Sequence, residues 1–194
     1  MIGVRRFAQW GLWFGGGLVL LAAVLIGIDV LMRKFLLLSI GGADELAGYS
    51  LAIGTTWGLG AALLDRAHIR IDSLYVLFPQ KVRLALDLVA LVLFTGFFAL
   101  TLWHGFGVVA QSWTSESRSQ SALETPTIIP QFLWIAGLVA FVGVALILLV
   151  QALRLGAAGD LNGMARLIST RSAEEEVEEE IRDLKDRQVR EGRN

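Results

Sequence analysis

Four long apolar runs, at roughly residues 7–32, 46–64, 84–110 and 128–153, constrain this chain more than any other feature. Each is about as long as, or longer than, the ~20 residues an α-helix needs to cross ~30 Å of hydrocarbon. The expected fold class is all-α: a polytopic membrane protein with four transmembrane helices. Composition agrees, because 55% of the 194 residues are hydrophobic and 18% are charged, with a mean hydropathy of +0.61. A soluble domain of this size needs far less apolar surface. The first run follows Arg5 and Arg6 as a secretory signal would, but it outlasts the usual ~7–15-residue apolar core and no small-residue cleavage site follows. It is expected to stay on the chain.

Orientation follows from Lys and Arg in the short connections, which resist translocation. Arg5, Arg6, Arg66, Arg70, Lys81, Arg83, Arg154, Arg166 and Arg171 fall on one side, and Arg33, Lys34 and Arg118 on the other. Both termini are expected in the cytoplasm, with the chain in the cell inner membrane. Trp10, Trp13, Trp103, Trp113 and Trp134 fall near span ends, where aromatic belts form. The expected division is a four-helix membrane domain over 1–156 and a cytoplasmic linker with an acidic tail over 157–194. Through Arg171 the chain carries 12 Lys+Arg against 9 Asp+Glu; from Ser172 onward the balance is 5 against 9. Ser172 and Glu175 stand at capping-box spacing, and Val177, Ile181 and Leu184 share one face, so the tail is expected to form a charged, amphipathic helix.

Little in the sequence supports catalysis. Without cysteine, disulfides, thiolate zinc sites, cysteine nucleophiles and cysteine-ligated clusters are excluded. Gly15, Gly16 and Gly17 lie inside an apolar helix rather than after a strand, so they cradle no phosphate. His68 and His104 invite a haem-bearing redox subunit, but the predicted topology puts them at opposite membrane faces. No enzyme activity, cofactor, metal ion or nucleic-acid partner is expected.

Asp29 and Asp87 are ionisable residues within apolar runs, and such residues are functional candidates by default. Each stands four residues from an arginine, Arg33 or Arg83, one turn closer to water. The central turns of all four helices carry no charge, and no internal repeat is evident; a self-sufficient transporter usually has polar groups or broken helices there. Ser50, Gly54, Gly58 and Ala62 recur every four residues on the second helix, with Gly11 and Gly15 on the first, a pattern that lets backbones approach closely in lipid. Sequence leaves open whether the partner helix belongs to this chain or another. A self-contained homo-oligomeric transporter or channel built on that stripe is the competing class.

Several segments together resemble a known family: Asp29 to Arg33 closing the first span, Glu45 ahead of the small-residue stripe, Arg66-Ala-His68-Ile-Arg70-Ile-Asp72 after the second, and Thr125-Pro126 with Pro130 and Trp134 before the fourth. They resemble the small, DctQ-like membrane subunit of tripartite ATP-independent periplasmic (TRAP) transporters. The resemblance spans roughly 7–154. It implies a non-catalytic small permease subunit in a secondary-active, sodium-coupled importer of organic acids. A periplasmic solute-binding protein captures the solute, a large TRAP membrane subunit moves it, and this chain braces the large subunit. It also implies that Arg66, His68 and Asp72, with Asp29, Arg33 and Glu45, contact a partner or membrane lipids, and that the Gln111 to Gln131 outer loop receives the solute-binding protein.

Overall fold

The computed structural model describes residues 2–65, 78–169, 181 and 184. Five helices are named here: α1 (Ile2–Leu36), α2 (Ala43–Leu64), α3 (Gln80–Thr114), α4 (Ile128–Ala157) and α5 (Leu161–Ile168). There is no strand among the described residues, only an isolated bridge between Arg118 and Pro126. α1, α3 and α4 are long and apolar enough to cross a membrane. α2 is shorter and carries more small and polar residues.

The helices run beyond the apolar stretches because the i→i−4 ladder continues through flanking Arg, Lys, Asp and Gln, which hold a helix as well in the interface as in water. At 1.5 Å per residue α1 and α3 are about 52 Å long, well over the ~30 Å hydrocarbon thickness, so they tilt or project into the interfaces. Pro130 falls in the first turn of α4, where a missing N–H costs nothing. α5, which the sequence pattern did not announce, starts at Asp160, whose side chain accepts from the Gly163 N–H at 2.8 Å.

The principal contacts form an open row, α1 on α2, α2 on α4, and α4 on α3, with α5 tucked beneath α4 and α3. α4 is the central member and supplies most of the core: Phe141, Val142, Val144, Ala145, Leu148 and Ala152, joined by Leu63 from α2 and Leu91 from α3. Its buried face is wide because it has neighbours on two sides. Phe141 meets Phe94 and Phe98 of α3 edge-on, with ring centroids 5.7 and 4.7 Å away. Replacing Phe141 with alanine should cost about 3–5 kcal/mol, seen as a lowered unfolding midpoint of the purified protein in mild detergent.

Candidate functional site

α1 and α2 approach until their backbones touch. A Cβ at Gly15 would lie 2.5 Å from the Gly54 carbonyl oxygen, and one at Gly54 would lie 2.8 Å from that of Gly15. Gly11 meets the Trp57 carbonyl in the same way. Of the small-residue stripe, Gly54 is therefore packed against this chain's own α1, and Gly58 faces Leu12 at ordinary contact distance. Ala62 is half-buried further down the helix, and the Ser50 hydroxyl donates to the Leu46 carbonyl one turn back at 2.8 Å.

The residue that joins three helices is Trp57, which the sequence patterns did not single out. Its indole N–H donates to the Leu133 carbonyl of α4 at 3.0 Å, and its ring packs against Phe7 and Phe14 of α1. The α4 backbone comes this close because residue 137 is glycine, where a Cβ would sit 2.5 Å from Thr56 Oγ1 and 2.8 Å from Trp57 Cδ1. The available sequence signal was a bulky side chain with a polar N–H in the middle of a small-residue helix, since such a donor in lipid needs an acceptor from a neighbour.

At the membrane face remote from the N terminus, Asp29 is buried and organises the α1–α2 turn. Its carboxylate accepts from the Ile40 N–H at 2.5 Å and from the Ser39 hydroxyl at 3.2 Å. It pairs with Arg33 at 2.5 Å, and Arg33 reaches on to Asp44 at 3.6 Å. Beside it, Glu45 in the first turn of α2 accepts from the Ser121 hydroxyl of the loop between α3 and α4. That hydrogen bond holds the Glu45 carboxyl well below the usual carboxylate range.

The loop is a compact knot: Ser119 N–H donates to the Thr125 carbonyl at 2.9 Å, Thr127 N–H to the Ser117 carbonyl at 3.0 Å, and Thr125 N–H to Ser119 Oγ at 3.0 Å. Pro126 forms the bridge with Arg118. Gly42, at φ 94°, opens α2 and leaves room for Leu123 of the loop to lie over it. Pro130 and Trp134, with Tyr49, Ala52, Thr127 and Gln131, line a cleft of about 200 Å³ between α2 and α4.

At the opposite face Arg5 pairs with Asp65 at 3.2 Å, and the Ser169 hydroxyl donates to buried Asp87 at 2.6 Å. Arg66, His68 and Asp72 lie outside the described residues, as does nearly all of the tail from Ser172. His104 is exposed. Among the described residues no cluster of His, Asp and Glu is arranged to hold a metal ion.

Residues 22–155 match the model of the family described as tripartite ATP-independent periplasmic transporters, DctQ component. The chain belongs to that family. It is thus a small membrane component of a TRAP transporter. A search of curated proteins and one of solved structures each found no match. The DctQ match takes in Asp29, Glu45, Trp57, the loop between α3 and α4 and the cleft, and it leaves out Phe7, Gly11 and Gly15 of α1 as well as α5.

Three outcomes test this geometry. Trp57→Phe removes the only hydrogen-bond donor on that ring and should cost about 1 kcal/mol, with resistance to unfolding in mixed micelles as the readout. Ser121→Ala should release the loop and make it more sensitive to protease. The Glu45 contribution has a defined pH window because its folded pKa is depressed. It is fully present above the ordinary value of 4.5 and is lost as pH falls from there towards the lowered one. Loop protection should therefore be level near neutral pH and decay only in acid.

Proposed function

We propose that this DctQ-family chain is the static small permease subunit of a sodium-coupled organic-acid importer, bracing a large membrane subunit and helping to dock the periplasmic solute-binding protein. The observation that carries the reading is the open row of helices with an uncharged middle. The sequence has no Asp, Glu, Lys or Arg over 7–28, 46–64, 88–115 or 125–153, so the row offers no polar path for a hydrophilic solute. The row presents exposed apolar side chains to its surroundings, including Phe132, Val139, Leu146, Val150 and Leu153 on the side of α4 that its neighbours leave uncovered. A sliding transport domain needs a rigid reference of this kind, and close backbone packing supplies rigidity in lipid.

The reading has four spans and both termini cytoplasmic. α2 counts as the fourth span because the Arg5–Asp65 pair and the Arg33–Asp44 contact mark its two ends. From Asp44 to Asp65 the helix rises about 32 Å, close to the hydrocarbon thickness. The membrane domain is 1–156, and 157–194 is a cytoplasmic extension. Arg66, His68 and Asp72 are assigned to the cytoplasmic contact with the large subunit or lipid headgroups. The outer loop around Thr125 and Pro126 is assigned to the solute-binding protein.

The deciding experiment is gentle affinity purification of the tagged chain, co-expressed with the other transporter components. A much larger polytopic protein should come through in near-equal amount, and Arg66→Ala or His68→Ala should weaken its recovery. Recovery of this chain alone as a stable oligomer, with solute flux after reconstitution, would overturn the reading in favour of a self-contained channel.

A further inference from the structure

The turn from α1 to α2 presents a cluster of apolar side chains beyond the charged rim of the helix pair. Phe35, Leu36, Leu37 and Leu38 are 71%, 61%, 89% and 58% exposed. This exposure is imposed by the backbone. Leu37 sits at φ 54°, a left-handed conformation that a leucine rarely adopts. The chain reverses there because Asp29 draws in the Ser39 hydroxyl and the Ile40 N–H immediately afterwards. With those two residues pulled inward, the four apolar side chains before them point away from the bundle.

We infer that this tip is a membrane anchor, with Phe35, Leu37 and Leu38 seated among phospholipid headgroups and upper acyl chains and Lys34 meeting the lipid phosphates. Three observations favour lipid as the occupant. The tip continues the exposed apolar surface of α1, through Val24, Ile28, Val30 and Leu31, without a polar break other than Arg33 and Lys34. The charge beside it is basic: Lys34 Nζ lies 5.5 Å from the Phe35 ring centroid, and among the described residues no carboxylate is within ion-pair distance of it. The tip also lies just past the level set by Arg33 and Asp44, 3.6 Å apart. That is the zone, about 5–10 Å deep, where amphipathic segments with a cationic flank settle. The anchor would hold the outer end of the α1–α2 pair at a set depth. It requires only that α1 spans the membrane, and not that a large subunit be present.

The chain has no cysteine, so single cysteines can carry nitroxide labels without further changes. The full-length chain would be placed in nanodiscs of phosphatidylethanolamine and phosphatidylglycerol, labelled in turn at Phe35→Cys, Leu37→Cys, Leu38→Cys and, as an aqueous reference in the outer loop, Gln120→Cys. Collision with oxygen is compared with collision with a water-soluble nickel chelate. The expected ratio of oxygen to nickel collisions is above one at the tip and below one at residue 120. Adding Lys34→Glu should shift the ratio at residue 37 towards the aqueous value. Nickel-dominated collisions at residues 37 and 38 would overturn the anchor. So would shielding that appears only when the large subunit or the solute-binding protein is added, because the cover would then be protein. An unchanged ratio with Lys34→Glu would overturn the phosphate contact. Copurification of the large subunit tests the bracing reading separately, so either proposal can fail alone.

Discussion

The hydrogen bond from the Trp57 indole to the Leu133 carbonyl, 3.0 Å long, sits where three helices meet, and the arrangement of the row follows from the conditions that allow it. In lipid there is no hydrophobic drive between helices, so contact has to be won by close packing and by satisfying polar groups. α2 achieves this by being thin on two sides. Gly54 lets α1 approach through Gly15, Gly60 stands between Ala8 of α1 and Val144 of α4, and Thr56 meets α4 where residue 137 is glycine. Trp57 is the bulky exception, and its rim fills the space that the small residues leave.

Charge is confined to the ends of the row, and each end is closed differently. At the face remote from the N terminus, Asp29 ties α1 to the following turn and Glu45 ties α2 to the loop between α3 and α4. At the other face Arg5 joins Asp65, and Ser169 brings the short helix α5 back to Asp87 on α3. The DctQ family match identifies the chain as a TRAP transporter component.

The parts of this architecture that were legible from sequence are those that depend on the solvent. The apolar runs announced the helices because a bilayer demands about 20 unbroken apolar residues from any span. Asp29 and Arg33 could be paired because i,i+4 neighbours on a helix meet whatever surrounds them. Gly11, Gly15 and Gly54 could be marked as packing residues because only small side chains permit backbone contact. Other features escaped. α5 is only eight residues long, too short for a periodic signal, and its position depends on Met164 finding Gly156. Glu45 was marked only by the family resemblance, and its loop partner Ser121 is 76 residues away.

Local rules therefore determined the helical class, the end placement of charge and the small-residue faces, since each depends on sequence neighbours and on water or lipid. The tertiary structure alone decided the order α1, α2, α4, α3, the choice of α1 as the partner for Gly54, and the meeting of Trp57 with Leu133. Those are choices among helices that all look apolar from outside. Hydropathy cannot rank them, because only the match of knob to gap between specific backbones distinguishes one neighbour from another.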